Sequence, residues 1–134
     1  MPQQANVVLN DGQATPVAHT FVPYGSRAQP DKRIVSLWLD QSQSNLDSYW
    51  KLNEGYTPVN GNGMEKLQWI FDIPTLVTPS SGAPYRDYGT IGKIEMWAHK
   101  RALLAELKNA VALVKNFTAS QYFYDAVTLR QPAY

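Results

Sequence analysis

Over most of this chain apolar side chains recur at every second position. From residue 98 onward they recur at every third or fourth. Alternate positions on a strand share a face, whereas positions three or four apart share a face on a helix. The chain is therefore confined to a run of strands followed by helices, an α+β arrangement with the helices gathered at one end. "RIVSLWLDQ" (33–41) sets Val35, Leu37 and Leu39 against Ser36, Trp38 and Asp40. "EKLQWIFDI" (65–73) sets Leu67, Trp69, Phe71 and Ile73 against Lys66, Gln68, Ile70 and Asp72. "YRDYGTIGKIEMW" (85–97) is a long strand that Gly89 and Gly92 weaken or bulge.

Turn chemistry divides the strand region. "ANVVLN" (5–10) and "QATPVAHTFVPY" (13–24) flank Asp11-Gly12, a two-residue turn signal, so they read as an N-terminal hairpin. "GSRAQPD" (25–31) and the proline-rich "PTLVTPSSGAP" (74–84) read as loops. The long connection 42–64 holds a short extra strand near 48–52. Five or six antiparallel strands result.

In "AHKRALLAELKNAVALVKN" (98–116), Leu103, Leu104, Leu107, Val111 and Val114 form an apolar stripe. A second helix starts at Thr118, where Thr118-Ala-Ser-Gln121 has the form of a capping box, and Pro132 stops it. The closing "YDAVTLRQPAY" is apolar enough to dock, either on its own domain or on another copy. So little helix cannot cover both faces of such a sheet, which leaves one face solvated or used.

Length and charge narrow the function. A chain of 134 residues is one domain, 1–134, divided into a hairpin (1–24), a sheet (32–97) and two helices (98–130). The net charge of +1 gives no bulk field for nucleic acid or anionic membrane, though a local basic patch is compatible with it. Without cysteine there is no disulfide and no thiolate metal site. The N-terminal stretch lacks the pattern of a signal peptide, and no apolar run is long enough to span a bilayer. His19 and His99 form no metal-ligand spacing, so no cofactor or metal is implied. "GTIGKI" (89–94) superficially resembles a phosphate loop, but its spacing is short and no Ser or Thr follows Lys93. An enzyme would need a cleft that gathers His19 or His99 with carboxylates.

Four Trp and eight Tyr are many for this length. Most such rings serve packing. Trp38 and Tyr88 stand apart because alternation sets them away from the aliphatic side of their strands. Beside Lys66, Gln68, Arg86 and Thr90 they would suit stacking on unpaired bases.

In order, "NVVLNDGQATPVAH", "KRIVSLWLDQS", "KLQWIFDIP", "TLVTPSSGAP", the Arg-x-Tyr of "YRDY", the helix "AHKRALLAELKNAVALV" and the closing "PAY" resemble the coat protein of single-stranded RNA bacteriophages, the levivirus type. The resemblance spans nearly the whole chain. It implies an N-terminal hairpin, an antiparallel sheet and two C-terminal helices that interlock in a homodimer. It further implies a non-enzymatic capsid protein whose dimers close into an icosahedral shell around genomic RNA, forming virions in the host bacterial cytoplasm. An RNA hairpin at the replicase start would also be bound, repressing translation and promoting packaging. The implied RNA-facing set is Ser36, Trp38, Lys66, Gln68, Arg86, Tyr88 and Thr90, with Asp40, Ile70 and Asp72 beside them. Ser36 and Gln68 would line base pockets and Tyr88 would stack. Leu103, Leu107, Val111 and Val114 would form the dimer interface. The rival reading is a dimeric single-stranded RNA-binding module that builds no shell.

Overall fold

The structure, a computed structural model, describes residues 4–42 and 46–130. The Pro132 stop and the closing "PAY" lie outside the described residues. Six strands, β1 (Val7–Asn10), β2 (Ala18–Ala28), β3 (Ile34–Asp40), β4 (Trp50–Thr57), β5 (Met64–Val77) and β6 (Tyr85–His99), form one sheet in sequence order. Two helices follow, α1 (Leu104–Thr118) and α2 (Gln121–Thr128). The backbone divides into two units after Trp97.

In the first unit, neighbouring strands from β1 to β5 pair antiparallel. The tight Asp11-Gly12 turn is not made. Instead Asp11 closes a longer loop: its backbone N–H donates to Val17 O (3.0 Å) and its carboxylate accepts from Val17 N (2.9 Å) and Gln13 N (3.2 Å). A side chain that can cap its own loop removes the need for a glycine-driven turn. The expected loop at 25–31 is mostly strand, because β2 continues to Ala28. β2 pairs with β1 through Phe21 and with β3 from Val22, and its register shifts between Pro23 and Gly25, where Gly25 adopts φ 142°. Pro23 has no N–H for the ladder and Gly25 tolerates the positive φ, so the strand bulges there.

The extra strand near 48–52 is a full member, β4, preceded by a 3₁₀ turn at Leu46–Ser48. β5 runs through Pro74 to Val77, beyond the expected end at 73. Its recorded pairing with β4 ends at Asp72, so Pro74 withholds no donor from that ladder. The core is aromatic. Phe21, Trp38 and Leu52 are buried together, with Val7, Trp50, Trp69 and Phe71 packed against them.

In the second unit, α1 begins at Leu104 rather than at 98, because β6 continues to His99 and a turn follows, with Ala102 N–H donating to His99 O at 2.8 Å. Leu103 cannot cap through its side chain. Glu106 satisfies its backbone N–H instead (2.7 Å). Thr118 ends α1 and returns its hydroxyl to Val114 O (3.0 Å), so it does not start α2. Ser120 is the cap, accepting from Phe123 N at 3.2 Å. Phe117 joins the two helices by packing edge-on to Phe123 at 5.6 Å between ring centroids. Neither helix buries a residue within the chain.

Candidate nucleic-acid interface

Residues directly opposite on paired strands project to the same face. Following the pairs across β3, β4 and β5, Trp38 lies opposite Leu52, which lies opposite Phe71. One residue along, Leu37 lies opposite Asn53, and Asn53 opposite Ile70. The first series lines the core face together with Ser36, Asp40, Trp50, Glu54 and Trp69. The second lines the other face together with Val35, Lys51, Gln68, Asp72 and Lys66.

This divides the expected RNA-facing set. Lys66, Gln68, Ile70 and Asp72 share one face, and Ser36, Trp38 and Asp40 are on the opposite one. Trp38 is only 7% exposed, and its indole N–H donates to Ala5 O at 2.9 Å. Ser36 is buried, with its Oγ 2.6 Å from Ser26 Oγ. The aliphatic trio does not mark the main core side of β3: Leu39 is buried, at 1% exposed, but Val35 and Leu37 are only half-buried, and the aromatic cluster forms on the Trp38 side. A tryptophan whose single donor finds a carbonyl buries more area than any of the three, and the aromatic side wins.

On the face opposite the core, glycines make room for polar side chains. A Cβ at Gly55 would lie 3.1 Å from both Cγ and Nε2 of Gln68, so the Gln68 side chain lies across the glycine. The Lys66 ammonium sits over the Trp97 ring, 5.2 Å from its centroid. Arg86 donates two hydrogen bonds to Asp72, each 2.8 Å. Hydrogen bonding to Asp72 pushes the guanidinium pKa still higher than usual. A Cβ at Gly89 would collide with that guanidinium and stand 2.9 Å from Asp72 Oδ1, so the pair requires glycine there. With its charge matched by Asp72, Arg86 holds the strands' side chains in place more than it offers a free cation. Tyr88, 59% exposed, and Thr90, also exposed, flank Gly89 on β6. Gly89 is directed at Asp72 and Gly92 at Phe71, so alternation sets Tyr88 and Thr90 away from this face, apart from Lys66 and Gln68.

Three polar residues join this face that the expected set omits. Arg27 lies opposite Val35, Lys51 opposite Leu39 and Asp72, and Asn53 between Leu37 and Ile70. Their signal was the alternation of "WKLNEGYT", hidden in a turn-rich connection, and a strand continuing through "GSRA". A cavity of about 360 Å³ opens among Tyr24, Arg27, Val35, Leu37 and Asn53.

His19 does gather carboxylates. Its Nδ1 is 2.5 Å from Asp40 Oδ2 and its Nε2 3.4 Å from Asp11 Oδ2, with Trp50 stacked on the ring at 3.9 Å. Both nitrogens are turned to carboxylates and one ring face is covered, so neither nitrogen is presented to a substrate. Among the described residues no group of three or more His, Asp or Glu could hold a metal ion, and no helix is long and apolar enough to cross a membrane. Of the expected dimer residues, Leu103, just before α1, and Leu107 and Val111 on it are exposed, and Val114 is partly so.

A family model described as Levivirus coat protein matches residues 2–134. The solved virus-like particle of bacteriophage NT-214 is similar at a TM-score of 0.86 and 29% identity, covering 99% of this chain and 100% of that one. The virus-like particle of bacteriophage ESE058 is similar at 0.85 and 27%, with 99% and 100% covered. The protein capsid of bacteriophage GA has a TM-score of 0.71 at 17% identity over 95% of each chain, a likeness of fold. No curated protein matches the chain.

Proposed function

The chain belongs to the levivirus coat protein family, and from that premise we propose that it forms a homodimer, that dimers close into an icosahedral shell, and that the shell encloses single-stranded RNA. The observation that carries the dimer is the helical unit. Leu107 is 37% exposed, Val111 54% and Leu113 71%, and neither helix buries a residue within the chain. Apolar exposure on this scale calls for a partner surface. Virus-like particles formed by the relatives of bacteriophages NT-214 and ESE058 support extending the reading from dimer to shell.

The RNA-binding role falls to the face opposite the aromatic core. Lys66 supplies charge there and Gln68 a hydrogen-bonding amide held against Gly55. On β6, exposed Tyr88 offers a ring for a base, with Thr90 two residues along, from outside that face. Arg86 acts as a positioning contact through Asp72. Ser36 and Trp38 have no part in this interface, since the fold consumes them. Binding of a replicase-start hairpin, with repression of translation, is the use proposed for this face, and virion assembly in the host cytoplasm follows from it.

The dimer is tested by Leu107→Asp, which places a charge on the proposed contact. Recombinant Leu107→Asp protein should be insoluble or unfolded, because dimers of this kind lack a stable monomer. Sedimentation of the wild type as a folded monomer would contradict the proposal.

A further inference from the structure

We propose that His19 is a proton-operated clasp for the N-terminal hairpin, closed when the imidazole carries both protons and loosened when it loses one. The geometry carries the proposal. His19 stands in the part of β2 that pairs with β1, where it faces Leu9. Its Nδ1 meets Asp40 on β3 and its Nε2 meets Asp11 in the loop that closes the hairpin. Both partners are carboxylates, which accept only. A neutral imidazole has one donor and would turn a lone pair toward the second carboxylate, whereas the imidazolium donates to both. Trp50 stacks on the ring within 9° of parallel, a contact that also favours the cation.

The surroundings reinforce this. The side chains of His19, Asp11 and Asp40 are 13%, 6% and 5% exposed, so solvent screens the cluster weakly. Lys51 on β4 borders the adjoining cavity and, among the described residues, is the one cation lining it besides His19 itself; the groups there from β5, Phe71 and Ile73, and from β2, Phe21, are uncharged. Burial alone would lower the pKa of His19, but hydrogen bonds to Asp40 and Asp11 outweigh it and the net direction is upward. A histidine raised in the folded chain contributes stability that is full below its unfolded pKa and is lost as pH rises through the folded one. The clasp therefore tightens on mild acidification and opens toward alkaline pH, until acid strong enough to protonate the carboxylates removes it.

The test is hydrogen exchange read by mass spectrometry on the purified full-length protein, across about pH 5 to about pH 8.5, with intrinsic rates corrected. Peptides spanning 7–21 should lose protection severalfold as pH rises, while β4 and β5 peptides change less. His19→Gln should remove the pH dependence and His99→Gln should keep it. Should His19→Gln not fold, Asp11→Asn serves, because its amide oxygen can still accept from Val17 and Gln13. It should move the midpoint of the profile to lower pH. A flat wild-type profile, or a midpoint unmoved in Asp11→Asn, would overturn the clasp.

Discussion

Trp38 is packed with Phe21 and Leu52 and gives its only donor to Ala5 O, so it ties the start of the chain to the centre of the sheet. Trp38→Ala should cost the purified protein ~3–5 kcal/mol in denaturant unfolding, the range for losing a buried aromatic. A cost under about 1 kcal/mol would put the ring on a surface. Tyr88 has the opposite environment, and its removal should spare folding. Tyr88→Ala should weaken binding of the phage's replicase-start hairpin by ~1–3 kcal/mol, one base–aromatic stack. Lys66→Ala should instead weaken binding across RNA sequences and flatten its salt dependence. Filter-binding titrations at several salt concentrations separate the two. Wild-type affinity in Tyr88→Ala would remove the ring from the interface. Residue spacing alone could not separate Trp38 from Tyr88. Both stand away from the aliphatic side of a strand, and what decides between them is a carbonyl 33 residues away in sequence.

Among the elements, β5 and the loop after it carry a separable role. The described loop between Val77 and Tyr85 holds Pro79, Ser80, Ser81 and Gly82, with Gly82 at φ 130°. Deleting 78–82 should leave dimers intact in sedimentation and change or prevent closed particles, since a shell needs this kind of segment to vary around its symmetry axes. Normal particles from the deletion would remove the loop from assembly. The elements were legible where one local rule governed them. The period of two in "EKLQWIFDI" marks β5, and the helical stripe marks α1. Boundaries were less so, because competing local chemistry decided them. Asp11 caps its loop and displaces the tight turn, Glu106 rather than a polar N-cap starts α1, and Ser120 rather than Thr118 caps α2. In the candidate site, Lys66, Gln68, Ile70 and Asp72 were readable as one face of a single strand. Arg27, Lys51 and Asn53 were not, because their place depends on the pairing of β2, β3 and β4.

At the scale of the whole molecule, the charge balance sets how RNA can be held. A subunit of net charge +1 cannot neutralise a packaged genome through bulk field. Cations gathered on one face, Arg27, Lys51 and Lys66, are proposed to supply local contacts in its place, with the exposed ring of Tyr88 on β6 as a further contact. The same subunit exposes large apolar residues on its two helices, Leu107, Val111 and Leu113 among them, and neither helix has a fully buried residue. The proposed shell of dimers would meet both conditions, since a partner would cover the helices and RNA would meet the polar face. The most direct measurement is electron microscopy of the purified recombinant protein, with its ultraviolet absorbance ratio taken on the same sample. Uniform closed particles whose absorbance is dominated by nucleic acid are the expected result. Free dimers without particles, at concentrations where the protein is folded, would contradict the shell and leave a dimeric RNA-binding module in its place.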